Sequence, residues 1–226
     1  NRIGNLAATI LAENNTLTSL NLDNNEIRER GIVALAGNST LVKLSLSCLS
    51  KGLNEKSVAS LANNKSIQSL NLSQCEIGNA GAALLAKNTH ITELNITNNR
   101  IDNSGAIELA TMPSLTTLTL DTIYPILGDN NKSNIIGDDG AIALAKNNNL
   151  VFLSLPNNNV GKKGAAALAQ NSSIKKLNVA NNIFGKTGAV AIAQNSVIES
   201  LNISSNQITS KGVIALAANK TLKALN

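Results

Sequence analysis

Residues 17–40 read LTSLNLDNNEIRERGIVALAGNST and contain two periodicities within one short stretch. In the first half, Leu20 and Leu22 alternate with polar residues, so the leucines share one face of an extended segment. In the second half, the apolar residues of 31–38 fall at helical spacing. The stretch therefore predicts a short strand followed by a short helix, each with one apolar face.

The same stretch recurs along most of the chain. The pattern LxxLxLxxNxIxxxGxxxLAxN returns in copies of 24 residues that begin at Leu17, Ile67, Ile91, Leu150, Ile174 and Ile198, and in copies of 26 and 35 residues that begin at Leu41 and Leu115. One strand and one helix of this size cannot bury their apolar faces alone, but stacked copies share a continuous core. We predict a single domain over residues 1–226. It has eight full repeats, partial repeats at both ends, and insertions near 47–54 and 121–135.

This pattern resembles the leucine-rich repeat family over essentially the whole chain, and its helix-bearing form resembles the ribonuclease-inhibitor-like type. The resemblance implies an α/β fold, a right-handed solenoid or horseshoe. Its parallel strands lie on the concave face and its short helices on the convex face. Strands pair at about 4.7 Å whereas helices need about 10 Å, which favours the same curvature. The asparagine-rich, near-identical repeats are also similar to those of effector proteins from intracellular bacterial pathogens.

The resemblance also assigns roles to polar residues inside the repeat. It implies that one asparagine after each strand satisfies backbone groups of the bend, and that Cys75 is a structural replacement for it; these asparagines are Asn25, Asn99, Asn158, Asn182 and Asn206. From the residues alone, the asparagine at each helix end, such as Asn38, is expected to be a left-handed C-cap. A glycine opens most of the helices and is expected to let the helix and strand layers approach closely, and Ser57 takes its place in one repeat.

Catalytic and cofactor-binding motifs are absent from the sequence. His90 is the only histidine and is expected in a turn, so neither a Ser–His–Asp triad nor a histidine metal site can be assembled. Asp129, Asn131 and Ser133 begin like a calcium loop, but Asn134 and Gly140 stand where that loop needs glycine and glutamate. We therefore expect no enzyme activity, no cofactor, no metal and no small-molecule substrate.

Charge is unevenly distributed along the chain. The net charge is +5, and the segment from Ala145 to the end contains nine lysines and one acidic residue, Glu199. A basic end can attract nucleic acid, but this one has no arginine and no row of aromatic residues on which bases would stack. Solubility or an acidic protein partner explains the lysines better. No apolar run approaches the roughly 18 residues of a membrane span. Asn-x-Ser/Thr sequons fall on a predicted strand face at Asn71, Asn95 and Asn202, where a protein secreted from a eukaryotic cell would risk attached sugars. We therefore expect a cytoplasmic protein, or one delivered into the host cytoplasm if it is an effector.

The repeat pattern does not specify the strand residues that point away from the core. These residues can therefore indicate what the protein binds. Nearly all are small and polar, and Phe152 is the exception: leaving this ring out of the core forgoes about 1.5–3 kcal/mol. The 121–135 insertion, which bulges from the preceding bend, adds apolar residues that the framework does not need. Leu49 of the shorter insertion is expected at the surface and Leu53 in the core. The predicted partner-binding residues are Ile123, Tyr124, Pro125, Ile126, Leu127, Phe152, Asp121, Lys176, Glu93 and Lys43.

Together these features favour a non-catalytic module that grips a folded protein with its concave face and the 121–135 insertion. Under the ribonuclease-inhibitor-like resemblance, the partner is an enzyme whose active site is occluded. Two alternatives stay open. The chain is a sensor or substrate-targeting domain of a larger protein, or it binds nucleic acid through its lysine-rich third.

Overall fold

The computed structural model describes residues 2–49, 52–123 and 132–226. Within these residues, short strands and short helices alternate along the chain. The strands are β1 (Ser19–Asn21), β2 (Lys43–Ser45), β3 (Ser69–Asn71), β4 (Glu93–Asn95), β5 (Thr117–Thr119), β6 (Phe152–Ser154), β7 (Lys176–Asn178), β8 (Ser200–Asn202) and β9 (Ala224–Leu225). The helices are α1 (Asn5–Ala12), α2 (Glu29–Ala36), α3 (Glu55–Asn63), α4 (Gly78–Leu85), α5 (Asn103–Leu109), α6 (Asp138–Ala145), α7 (Lys162–Gln170), α8 (Gly185–Ile192) and α9 (Thr209–Ala218).

The strands form one open parallel sheet in chain order from β1 to β9. Equivalent residues of successive repeats pair in register, as Leu20 does with Leu44 and Leu44 with Leu70. Each helix packs on the helices of the preceding and following repeats. The predicted α/β solenoid is confirmed, and every repeat contacts mainly its two neighbours.

The core between sheet and helices is almost entirely aliphatic. Leucine, isoleucine and valine side chains from both layers form one continuous buried cluster. Phe184 is also buried there, as its fixed apolar position in the repeat predicts. The insertion near 47–54 corrects one expectation. Leu53 is buried as predicted, but Leu49 is only 3% exposed, since it occupies the bend position that asparagine holds in other repeats.

The bend asparagines connect each repeat to the one before it. The fully buried Asn99 accepts backbone N–H groups of Cys75 and Ile77 at Oδ1, at 3.1 and 3.2 Å, and donates from Nδ2 to the Leu72 carbonyl at 2.8 Å. Asn158, Asn182 and Asn206 bond in the same way, which confirms the implied role. Asn25 accepts the Ile3 N–H but donates to the Leu22 and Asp23 carbonyls of its own repeat. Asn134 belongs to this ladder too, although the sequence analysis treated it only as part of a failed calcium loop.

Cys75 takes the ladder position in its repeat. Its thiol donates to the Leu46 carbonyl at 3.1 Å, and burial raises the pKa of the thiol to about 12. Cys48 and Cys75 are both free thiols. The structural role expected for Cys75 therefore holds, and its thiolate form is strongly disfavoured.

The helix-end asparagines form a second ladder rather than left-handed caps. Asn38 donates from Nδ2 to the carbonyls of Ala12 and Asn14, and its Oδ1 accepts the N–H groups of Thr40 and Leu41. The equivalent Asn64 has φ −66° and ψ 140°, so the backbone there is extended. The left-handed prediction was wrong because this backbone turns the amide towards the preceding repeat. A left-handed backbone occurs instead at the asparagines one residue before the bend ladder, which are Asn24, Asn98, Asn157 and Asn181.

The helix-opening glycines let neighbouring helices approach, rather than helix and sheet. Asp138 of α6 accepts the N–H groups of Gly161 and Gly164 at 2.7 Å each, and so caps α7 from the preceding repeat. A Cβ on Gly164 would lie 3.0 Å from that carboxylate oxygen, 2.9 Å from Ala141 Cβ and 2.6 Å from Val160 Cγ1. Only glycine leaves room for this contact.

We expect Asn99→Ala to lower the free energy of unfolding by at least about 2 kcal/mol, because it leaves buried backbone donors and acceptors unpaired. Urea denaturation followed by circular dichroism measures the change. The control is Asn15→Ala, an exposed asparagine expected to change stability by less than about 0.5 kcal/mol. Equal effects of the two substitutions would contradict a bridging role for the ladder.

We expect Gly164→Ala to destabilise the solenoid by about 1–3 kcal/mol, because the added methyl group overlaps the preceding helix. Gly4→Ala is the matched control, since a Cβ on Gly4 meets no atom within 4 Å. Thermal unfolding of both variants tests the difference. A Gly164→Ala protein as stable as the control would show that the helices can move apart without cost.

Candidate partner-binding surface

Three rows of side chains cross the face of the sheet that is turned away from the helices, here called the concave face. They arise because alternate strand residues point away from the core. The first row lies where the strands begin and contains Ser19, Lys43, Ser69, Glu93, Thr117, Phe152, Lys176 and Ser200. The middle row contains Asn21, Ser45, Asn71, Asn95, Thr119, Ser154, Asn178 and Asn202. The third row lies two residues further along each chain segment and contains Asp23, Ser47, Ser73, Thr97, Asp121, Pro156, Ala180 and Ser204.

The middle row is neutral, and its groups bond mainly to third-row residues. Asn71 accepts the Ser73 N–H at 3.1 Å and donates to the Ser45 hydroxyl at 2.8 Å. Asn95 accepts both the N–H and the hydroxyl of Thr97. The frequent Asn-x-Ser/Thr spacing on these strands therefore serves local hydrogen bonds.

Phe152 is a partly exposed ring in a row of otherwise polar side chains. It opens β6 and pairs in register with Thr117 on one side and Lys176 on the other. Its side chain is not sealed in the aliphatic core, so the predicted strand register holds at this residue. Val151, the residue before it, is 41% exposed. The two side chains give the edge of this row an apolar point of contact.

Three other predicted residues share that row. Lys43, Glu93 and Lys176 are all exposed. Strands are spaced at about 4.8 Å, so Lys176 adjoins Phe152, Glu93 is about 10 Å away and Lys43 about 19 Å away. Along this row, Lys43, Glu93, Phe152 and Lys176 thus follow one another in that order, with two positive charges, one negative charge and one aromatic ring.

The 121–135 insertion is anchored at both described ends to bends of preceding repeats. Asn98 accepts the N–H of Ile123 and donates to its carbonyl, both at 2.8 Å. At the other end, Arg100 N–H donates to the Lys132 carbonyl, and the Lys132 ammonium lies 2.9 Å from Glu76. The predicted contact residues Tyr124, Pro125, Ile126 and Leu127 lie outside the described residues, as does Asp129 of the calcium-loop pattern.

Phe152 and the anchored ends of the insertion lie at opposite ends of the strands. Residues 152 and 156 are four residues apart, which corresponds to about 13 Å along an extended chain. Pro156 adjoins the insertion, since its carbonyl accepts the N–H of Thr122 at 3.1 Å. The least polar strand of the concave face, β6, therefore runs from the exposed ring to the base of the insertion.

Asp121 is a half-buried carboxylate at that base. Burial raises the pKa of its carboxyl group, and a hydrogen bond with Ser154 opposes this shift. Its Oδ1 is inaccessible to solvent, and none of the residues described donates a hydrogen bond to it. The ionised form is thus poorly solvated.

Two exposed isoleucines in the bends escaped the sequence analysis, one at the end of the insertion and one two repeats further on. Ile135 and Ile183 are 65% and 52% exposed and stand one position after the bend ladder. Most other repeats have a polar residue there, for example Glu26, Arg100 and Gln207, so aligning that column would have revealed them. Beside Ile135 lies a shallow pocket of about 330 Å³ lined by Thr122, Ser133, Asn134, Asn157, Asn158 and Asn159.

Other residues weighed for chemistry have ordinary surroundings. His90 is exposed in a turn next to Thr89, as predicted. Over residues 2–49, 52–123 and 132–226, no group of three or more His, Cys, Asp and Glu side chains could hold a metal ion. In the same part of the chain, no helix is long and apolar enough to cross a bilayer.

We expect Asp121→Asn to raise the urea midpoint of unfolding at pH 7. A raised native pKa means that ionisation favours the unfolded chain, so wild-type stability falls as pH rises from the unfolded pKa through the native one. The advantage of the variant should therefore shrink as pH is lowered towards 4. An equal or larger advantage at low pH would contradict desolvation as the cause.

The comparisons with known proteins agree with the repeat geometry. The family model described as Leucine Rich repeat matches residues 13–36, 63–86, 87–110, 146–169, 170–193 and 194–217. Two internal unmatched segments, 37–62 and 111–145, contain the two insertions. The search of curated proteins returned no match. With more than half of its residues matched and a solenoid of paired strands and helices, this chain belongs to the leucine-rich repeat family.

Proposed function

We propose that this domain is a non-catalytic protein-binding module that grips a folded partner with its concave face and the 121–135 insertion. Leucine-rich repeat domains in general bind proteins. The observation that carries the proposal here is Phe152, a partly exposed ring in a row whose other members are polar. Buried aromatic anchors surrounded by polar residues are typical of binding hot spots.

The long insertion supplies a second contact region. Its ends are held by hydrogen bonds to Asn98 and by the ion pair of Lys132 with Glu76, so the connecting residues start from fixed points beside the sheet. Ile123, which is 54% exposed at the described start of the insertion, and Phe152 are two apolar contacts near opposite ends of the strands. A folded protein surface spans such a distance, whereas a small molecule does not.

The proposal includes a specific outcome and setting. The outcome is inhibition of an enzyme by occlusion of its active site, which rests on the resemblance to ribonuclease-inhibitor-like repeats. The setting is the host cytoplasm after delivery as a bacterial effector, which rests on the similarity of the asparagine-rich repeats to those of such effectors. Both depend on likeness of repeats, and fold alone does not dictate function.

The test is to identify partners by cross-linking and affinity purification, and then to measure their affinity for variants by calorimetry. Phe152→Thr replaces the ring with the residue that occupies the same position in the preceding repeat, so folding should be unaffected. We expect Phe152→Thr with Tyr124→Ala to weaken binding by at least about 2 kcal/mol, or about 30-fold in Kd.

Ser19→Ala is the matched control, because Ser19 lies in the same row at the far end of the sheet. It should leave the affinity unchanged. A partner that binds the Phe152 and Tyr124 double variant as tightly as wild type would show that the binding site lies elsewhere. Competition between this domain and a substrate of an enzyme partner would test occlusion directly.

A further inference from the structure

We propose that the partner bears carboxylates beside an exposed apolar side chain, and that this combination docks on a patch formed by Val151, Phe152, Lys175 and Lys176. The inference rests on the proposed function, because it names the chemistry of the partner at the concave face. It concerns the first-row residues Phe152 and Lys176 of β6 and β7 and the residues directly before them, Val151 and Lys175, at the end of the strands away from the insertion.

The four residues are adjacent through the sheet. Phe152 pairs with Lys176 in register, and the Val151 carbonyl accepts the N–H groups of both Lys175 and Lys176, at 2.9 and 3.1 Å. Val151 is 41% exposed, Phe152 is partly exposed and both lysines are exposed. An apolar pair and a cationic pair therefore lie within one strand spacing of each other.

The two lysines are available for a partner. Within the described part of the chain, neither forms a salt bridge, whereas the nearby Glu199 is held by Lys223 at 2.6 Å. The pKa of Glu199 is lowered, chiefly by its hydrogen bond and charge interaction with Lys223 and more weakly by Lys175 and Lys176. Among the described residues, the acidic group nearest the patch is thus already paired with Lys223. The next, Glu93, is about 10 Å from Phe152 along the row.

The positive charge of this patch indicates which class of partner it can bind. From Ala145 onwards the chain has nine lysines against one acid, so the field over this half of the sheet favours anions. An exposed apolar pair beside the lysines adds a contact that phosphate groups do not use. Nucleic acid would instead favour arginine forks and several stacking rings, and the sequence has neither after Ala145. These features favour an acidic protein surface with an apolar residue among its carboxylates.

The probe is a short fluorescein-labelled peptide in which glutamates flank two leucines, measured by fluorescence anisotropy and by amide chemical-shift changes. Two further peptides replace the glutamates with glutamine or the leucines with alanine. We expect the glutamate–leucine peptide to bind best and to shift amides of β6 and β7. Equal binding of the glutamine peptide would overturn the proposal, as would shifts spread evenly over all lysines.

Two double variants with the same loss of charge test whether binding depends on this patch or only on the overall positive charge. Lys175→Gln with Lys176→Gln should weaken peptide binding at least about tenfold, as loss of close charge pairs does. Lys211→Gln with Lys220→Gln removes the same charge from exposed positions in and after α9 and should change it less than about twofold. Equal losses in the two double variants would overturn the proposal. So would tighter binding of a single-stranded oligonucleotide of the same charge at β6 and β7.

Failure of this inference can be distinguished from failure of the proposed function. If Phe152→Thr weakens capture of a protein partner but the Lys175→Gln and Lys176→Gln variant does not, the partner chemistry is wrong and the binding face stands. If neither variant affects any captured partner, both are wrong.

Discussion

Side-chain amides that bridge successive repeats are the interactions on which this structure depends. A strand of three residues and a helix of about eight leave many backbone groups without partners inside their own repeat. Asn99 and its counterparts satisfy the bend, and Asn38 and its counterparts satisfy the helix ends, in each case by reaching the preceding repeat. Because the bonds connect neighbours only, stability accumulates along the stack as nearest-neighbour terms.

The residues that stabilise the fold are not those of the concave face, so the side chains of this face can vary. The residues that hold the repeats together point into the core or lie in the bends, so the first row of strand side chains is not needed to stabilise the fold. Six of the eight full-repeat positions in that row are serine, threonine or lysine, which makes Glu93 and Phe152 informative. A ring at this position stays partly in contact with water, whereas the other first-row residues are polar.

The same framework explains where variation occurs. The two long repeats insert residues after the strand, where the backbone already turns outward, and both keep the strand and helix in register. In the longer one, Asn134 restores the bend ladder after the insertion, and Asn98 and Glu76 fasten its ends. In the longer repeat the framework thus accepts extra chain without losing its ladder hydrogen bonds, which is the property that a binding scaffold needs.

The sequence by itself determined the repeat, the alternation of strand and helix, the aliphatic core and the outward position of Phe152, because these follow from side-chain periodicity within one repeat. The tertiary structure decided what depends on contacts between repeats. It showed that Leu49 is buried, that the helix-end asparagines bridge rather than adopt left-handed caps, and that Gly164 faces the preceding helix. It also decided that the described ends of the insertion lie away from Phe152, because Ile123 and Lys132 are bonded to Asn98 and Glu76 in the bends of preceding repeats.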